Sequence, residues 1–385
     1  MFLRLDCSRL PGIIAATRPH SKPKMKLLVL AQTPPPLHGQ SLMVRTAVDG
    51  LPDEEIAVEH VNLSLSHSHA DIGRWRLGKL FAVIDACLHT VARRFTAGCD
   101  TLYYVPAPGK RGALYRDWLV MLLCRVWFRR LVLHWHAVGL GEWLNIRATA
   151  PERLVTHWLL GRADLAIVLT PSLAADAQVL NPRRVAVVPN GIADPGPLSA
   201  EPRSSSTDAR RRILFLGAVS RDKGALVLLE AVQLLRRRGV PFSVVFAGPV
   251  EAEMQPALAA ARQADPTACS LAGFVSGAAK RELLAACDLV CLPTFYRNEG
   301  QPLVLLEALA ADRPLVVTAW RGLPETVPPT AAIVAPSDVV TLADALAAAL
   351  RNPPPPNAHR DYFLANFTQA HHVRALATAL RQLDQ

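Results

Sequence analysis

The sequence is sparing with several residue types. Only seven of its 385 residues are cysteine, five are methionine, and aromatic side chains make up 6%. The cysteines (Cys7, Cys87, Cys99, Cys124, Cys269, Cys287, Cys291) are odd in number, scattered and mostly flanked by apolar residues. This excludes a disulfide-stapled secreted scaffold and points to free buried thiols in a reducing compartment, hence to a cytoplasmic protein. Cys287 and Cys291 lie four apart with no neighbouring histidine, which is a poor zinc site. No run of apolar residues approaches the roughly 18 to 20 that cross a bilayer. The G-x-G-x-x-G fingerprint is missing, and so is any D-x-D pair to hold a divalent metal. Residues 1–24 imitate a signal peptide badly. Their apolar patch Leu10–Ala16 is broken by Pro11 and Gly12 and followed by basic residues, so a poorly structured leader is expected, with Met25 a candidate start.

What the chain does have is apolar content and positive charge. The apolar fraction is 51% and the charged fraction 19%, enough to fold, and the length suits two domains of similar size. The net charge is +10, and it is unevenly shared. Residues 1–200 hold 23 Lys and Arg against 15 Asp and Glu, while residues 201–385 hold 19 against 17. An excess confined to one half suggests an anionic partner there: phosphorylated lipid, membrane surface or nucleic acid, set against a merely solubilising surface.

Apolar strand-like runs alternate with helical stretches. Met25–Gln32 comes first, then a Pro/Gly loop, then a helix from about Ser41. Thr101–Val105, Leu131–His136, Ala166–Thr170 and Val185–Pro189 follow, with helices around Leu77–Arg94, Tyr115–Phe128 and Pro151–Gly161. A Pro/Ser-rich polar stretch over 196–212 reads as a linker. A second series begins at Ile213–Gly217 and continues with Phe242–Gly248, Leu271–Phe274, Asp288–Pro293, Leu315–Thr318 and Ala332–Val334. Two α/β domains are expected, over 25–195 and 213–368, each with a parallel sheet, and a last amphipathic helix over 369–385.

The strongest chemical signal is Asn298–Leu309, in which Glu299 and Glu307 form an E-x7-E pair. Pro302 belongs in a first helical turn, which puts Glu299 in the preceding loop and Glu307 inside the helix. The amides of Gln301, Leu303 and Val304 then point off a helix N-terminus, a ready site for a phosphate. The segment resembles the signature E-G-x-x-L-x-x-L-E-A-x-A-x-G-x-P-V-V of the retaining glycosyltransferases of family 4. Leu214–Gly224, Val187–Ile192 (V-V-P-N-G-I), Gly273–Val275, the ADLAIVLTPS stretch and the loop after the first strand resemble the same family in the same order.

The resemblance implies a GT-B fold, two Rossmann-like domains facing across a cleft with the last helix crossing back to the first. It implies transfer of a sugar from a nucleoside-diphosphate donor to a glycan or lipid-linked saccharide, without a metal or other cofactor, in cell-surface polysaccharide or glycolipid synthesis. His136, Lys223 and Glu299 would act on the transferred sugar and the diphosphate, and Glu307 on the ribose. Gly39, Gln40, Asn190, Arg221, Val275, Gly300, Gln301, Pro302 and Leu303 complete the implied site. Two positions depart from the pattern. Ala218 stands where the family has arginine, with Arg221 a substitute, and Asp312 stands where it has glycine. A sugar-nucleotide epimerase or a phosphorylase is the alternative enzyme, though a phosphorylase needs a cofactor lysine and a longer chain. A nucleic-acid-binding protein is disfavoured by the absence of any RNP, zinc or helix-turn-helix motif. The basic stretches Arg74–Phe95 and Lys110–Arg130, rich in Trp, Leu and Phe, instead suit peripheral contact with an anionic membrane on its cytoplasmic face.

Overall fold

A computed structural model describes residues 25–63, 77–198 and 211–384. The leader over 1–24, Arg74, Arg76 and most of the 196–212 linker lie outside these residues.

Each half of the chain builds one six-stranded sheet, and every strand pairing is parallel. In the first half the order along the chain is β1 (Met25–Ala31), α1 (Gly39–Gly50), β2 (Ile56–Asn62), α2 (Leu77–Thr96), β3 (Thr101–Tyr104), α3 (Arg111–Cys124), β4 (Arg130–His134), α4 (Leu140–Ile146), α5 (Ala150–Leu160), β5 (Leu165–Val168), α6 (Ala174–Gln178) and β6 (Val185–Val187). The strand order is β2-β1-β3-β4-β5-β6. In the second half the elements are β7 (Arg211–Leu216), α7 (Ala225–Arg237), β8 (Phe242–Ala247), α8 (Gln255–Ala264), β9 (Cys269–Gly273), α9 (Gly277–Ala286), β10 (Leu289–Leu292), α10 (Leu303–Ala310), β11 (Leu315–Thr318), α11 (Leu323–Thr326), β12 (Ala332–Val334), α12 (Val339–Arg351), α13 (Ala358–Asn366) and α14 (Gln369–Arg381). This sheet runs β12-β11-β10-β7-β8-β9. Two doubly wound sheets in this arrangement are a GT-B fold.

The two-residue period of β1 explains how the first sheet is covered on both sides. Leu28 and Leu30 enter a core shared with α2, α3 and α5, while Leu27 and Val29 enter one shared with α1 and α14. From α14 come Leu376, Ala377 and Leu380, all fully buried, so the last helix packs on the first sheet although it follows the second in the chain. Truncating Leu376 or Leu380 to alanine would cost about 2 to 5 kcal/mol at such a site. The six described cysteines are buried and free. Among the described residues no helix is long and apolar enough to cross a membrane.

Several local expectations need correction. Pro302 is the residue before α10 and not part of its first turn. Its backbone is extended (φ −67°, ψ 128°), and Leu303 opens the helix. The Leu131–His136 strand ends at His134, so His136 stands in the loop beyond it. The helix after the first strand begins at Gly39, because His38 and Ser41 cap it reciprocally. Asp312 does adopt the left-handed backbone (φ 53°), and its carboxylate also accepts from the amides of Asn357, His359 and Arg360. A glycine could not cap α13 in this way.

Candidate functional site

Ligands of open α/β sheets bind beyond the strand C-termini, where the strand order reverses. In the second sheet that point lies between β7 and β10. The loop after β7 supplies Lys223 and the loop after β10 supplies Glu299, and they meet there with Nζ 2.6 Å from Oε2. Thr294 also donates to Oε2, at 2.9 Å, which leaves the second oxygen of Glu299 available to a ligand. The Lys223 ammonium lies 4.6 Å from the centre of the Tyr296 ring. Burial raises the Tyr296 hydroxyl above its ordinary range, and the nearby carboxylates of Asp222 and Glu299 add to this.

Glu307 is one turn into α10. Its Oε1 accepts from Lys280 of α9 at 2.8 Å, and its Oε2 is buried without a partner. A buried carboxylate oxygen left unsatisfied can accept from an ordered water or from a ligand's donor. Lys280 is a residue that sequence reasoning missed. It lies in an unremarkable helix, and its carboxylate is 27 residues away. Val275, in the loop leading to the same helix, is half-buried against the core beneath α10.

The tip of α10 faces the first half of the chain. A Cβ on Gly39 would lie 3.7 Å from the Leu303 side chain, so the N-termini of α1 and α10 converge. Gln40 sits in the first turn of α1. At Gly300 a Cβ would come within 2.5 Å of the His136 carbonyl oxygen, so only glycine permits this approach. Asn190 grips Gln301 twice: its backbone amide donates to Gln301 Oε1 at 2.6 Å, and its Nδ2 donates to the Gln301 carbonyl at 3.0 Å. Two helix N-termini and a lysine therefore surround one small region, a setting suited to a polyanion.

His136 is half-buried as a residue, but both its ring nitrogens are buried and neither has a partner. Desolvation drives its pKa down to about 3, with smaller contributions from His372 and His38, so the ring is neutral. His134 lies beside it, ring centres 4.1 Å apart, and Tyr103 contacts its Nδ1. His372 comes from α14, donates through Nδ1 to the Pro189 carbonyl at 2.6 Å, and is likewise depressed, to about 4, by burial. Nothing in the sequence linked His372 to this cluster, because it reaches it from the far end of the chain. Arg221 is exposed and turned to Glu253, whose carboxylate accepts from the Arg221 amide at 3.2 Å.

Around the site the halves are clasped. Glu142 of α4 takes Arg297 at 2.9 Å and Arg321 at 2.6 Å, and these hold its carboxyl below the usual range, Arg321 foremost. Glu325 of α11 accepts from Ser172, and the Asn298 amide donates to the Val138 carbonyl at 2.6 Å.

Comparison with known proteins gives a partial match to one family. Residues 210–352 match the model described as Glycosyl transferases group 1. Glycogen synthase of Mycobacterium tuberculosis is 29% identical over 253 residues, 62% of this chain and 59% of that protein. The chain thus spans about three-fifths of that relative's length. Among solved structures, sucrose-phosphate synthase from Thermosynechococcus elongatus superposes with a TM-score of 0.73 at 18% identity, covering 94% of this chain and 99% of the other. Anabaena HepE in complex with UDP and glucose gives 0.65 at 18% identity, with 93% and 100% covered.

Proposed function

We propose that this chain, whose residues 210–352 match the model of glycosyl transferases group 1, is a retaining glycosyltransferase using a nucleoside-diphosphate sugar. The acceptor is a glycan or lipid-linked saccharide of a cell-surface polysaccharide or glycolipid. The observation that carries this is the pairing of both E-x7-E carboxylates with lysines at the tip of α10, opposite the tip of α1. Binding of UDP and glucose by the neighbouring fold supports the same donor class.

In this reading the diphosphate lies between the helix tips, where free amides and Lys223 meet the negative charge that grows as the glycosidic bond breaks. Glu307 Oε2, unsatisfied without a ligand, accepts from ribose hydroxyls, and Lys280 fixes its orientation. Glu299, held by Lys223 and Thr294, keeps one oxygen toward the transferred sugar, where positive charge develops. Neutral His136 hydrogen-bonds a sugar hydroxyl. The departing phosphate takes the acceptor proton on the same face, so configuration is retained. Fixed cations and helix dipoles neutralise the leaving group without a metal, and turnover should persist in EDTA. Loss in EDTA with recovery on adding magnesium would refute that part. The decisive experiment is a panel of UDP- and GDP-sugars with a lipid extract as acceptor. Transfer from at least one donor is expected, and nucleotide release from none of them would overturn the assignment.

A further inference from the structure

We propose that the outer face of the α2–α3–α5 layer docks on an anionic lipid bilayer. This goes beyond the donor chemistry and does not depend on it.

All three helices cover the same side of the first sheet, the side opposite α1 and α14. They lie next to one another: Tyr115 of α3 donates to Glu152 of α5 at 2.8 Å, and the Phe95 ring at the end of α2 meets Trp127, just after α3, edge-on at 5.8 Å. Surface helices normally carry a polar outer stripe. Here the outer stripe of α2 is Phe81, Leu88 and Phe95, seven apart and 69%, 66% and 63% exposed. Leu122 of α3, Trp127 and Trp158 of α5 continue it, at 52%, 47% and 69%. A monomer surface seldom leaves so many large apolar side chains on one face without a partner.

The charge on this face identifies the partner. From Leu77 to Leu160, a stretch that also takes in α4, the chain holds 11 Lys and Arg against 5 Asp and Glu. Arg111 and Arg116 pair with the buried Glu152 and Asp117, and Asp85, exposed between Phe81 and Leu88, pairs with His89. Arg129 and Arg153 are exposed around the apolar stripe, and Arg93, also exposed, pairs with Glu59 at 2.9 Å. At the centre Arg94 donates to the Trp127 carbonyl at 2.8 Å, with its guanidinium 5.8 Å from the Phe95 ring centre. Aromatic rings interleaved with arginines suit the headgroup region, where rings lie at the acyl boundary and cations meet phosphate. A second copy of the same face would bring its cations against their own kind. In parallel βαβ units a helix begins at the edge where the preceding strand ends. Phe81, near the start of α2, therefore lies at the cleft edge, and docking along the stripe brings the cleft mouth to the membrane plane.

Co-sedimentation of the full chain with vesicles tests this, comparing phosphatidylcholine alone with phosphatidylcholine mixed with phosphatidylglycerol. The chain should pellet with the mixed vesicles only, with tryptophan emission shifted to the blue. Arg129→Gln and Arg153→Gln should each weaken binding about five-fold, and Phe95→Ser with Trp127→Ser at least about ten-fold. These side chains are exposed, and unchanged circular dichroism will verify the fold. Should the double variant not fold, Leu88→Ser in mid-stripe gives the same test. Absence of pelleting, equal pelleting with both vesicle types, or indifference to the substitutions would overturn the proposal. So would a wild-type dimer in light scattering that the double variant makes monomeric, because a second copy would then cover the face.

Discussion

The two sides of the cleft are made of electrostatically different material. The second half presents ions in pairs, Lys223 with Glu299 and Lys280 with Glu307, at the tip of α10. The first half presents no formal charge there: the dipole of the α1 tip, Asn190, and His136, which burial keeps uncharged. A ligand that always carries charge belongs on the first of these sides. A polyhydroxyl ligand, recognised by neutral hydrogen bonds, belongs on the other. The lesson is that the two sides of one cleft offer different chemistry, ion pairs on one and uncharged hydrogen-bonding groups on the other.

The contrast is broken most severely at Glu299. Glu299→Gln should lower kcat by about a hundred- to a thousand-fold and leave donor KM nearly unchanged, because its carboxylate faces charge that exists chiefly in the transition state. Wild-type steady-state constants from a folded variant would show that the pair with Lys223 is only structural.

Acid should strike the neutral side next. A histidine whose folded-state pKa lies below its unfolded value takes up a proton on unfolding. Its contribution is therefore complete above about 6.5 and is lost as pH falls toward the folded value. For His372, at about 4, the loss by pH 4 is on the order of 3 kcal/mol, and His136, depressed to about 3, adds a comparable loss over the same range and continues below it. Urea melts at pH 7 and pH 4.5 should show this decline, and His372→Gln should make it shallower by roughly half. An equal decline in the variant would place the acid sensitivity elsewhere.

A smaller kinetic effect is expected at Glu307. Glu307→Gln should raise donor KM about ten- to a hundred-fold with kcat preserved, since ribose is held alike before and during transfer, and a charged acceptor is worth about 1.5 to 3 kcal/mol. The smallest effect belongs to the clasp. Glu142 is about one-third exposed, so Glu142→Gln should cost no more than about 1 kcal/mol in a denaturation series, and less at high salt.

The same contrast governed what the sequence disclosed. Glu299, Gly300, Pro302 and Glu307 lie within nine residues, and one strand–loop–helix unit carries them, so spacing alone put both carboxylates about one helix tip. β2 escaped notice because it is an edge strand whose polar Glu59 and His60 dilute the apolar signal. Lys280 and His372 escaped for a different reason. A helix sequence records which face is apolar, but not which distant loop its lysine or histidine will meet. Asp312 was legible only in part: tolerance of the left-handed backbone follows from residue type, whereas the capping of α13 needs a segment 45 residues further on.

The double grip of Asn190 on Gln301 ties ligand binding to the posture of the whole molecule. Gln301 lies two residues before α10 begins, so the aim of that helix tip is set by a residue of the opposite half. If the halves separate, the amides lose their alignment. By linkage, a diphosphate that binds the aligned tip more strongly must stabilise the closed posture by the same free energy with which closure strengthens its binding. Donor capture and cleft closure are then one equilibrium, and an acceptor would meet a cleft already set by the donor.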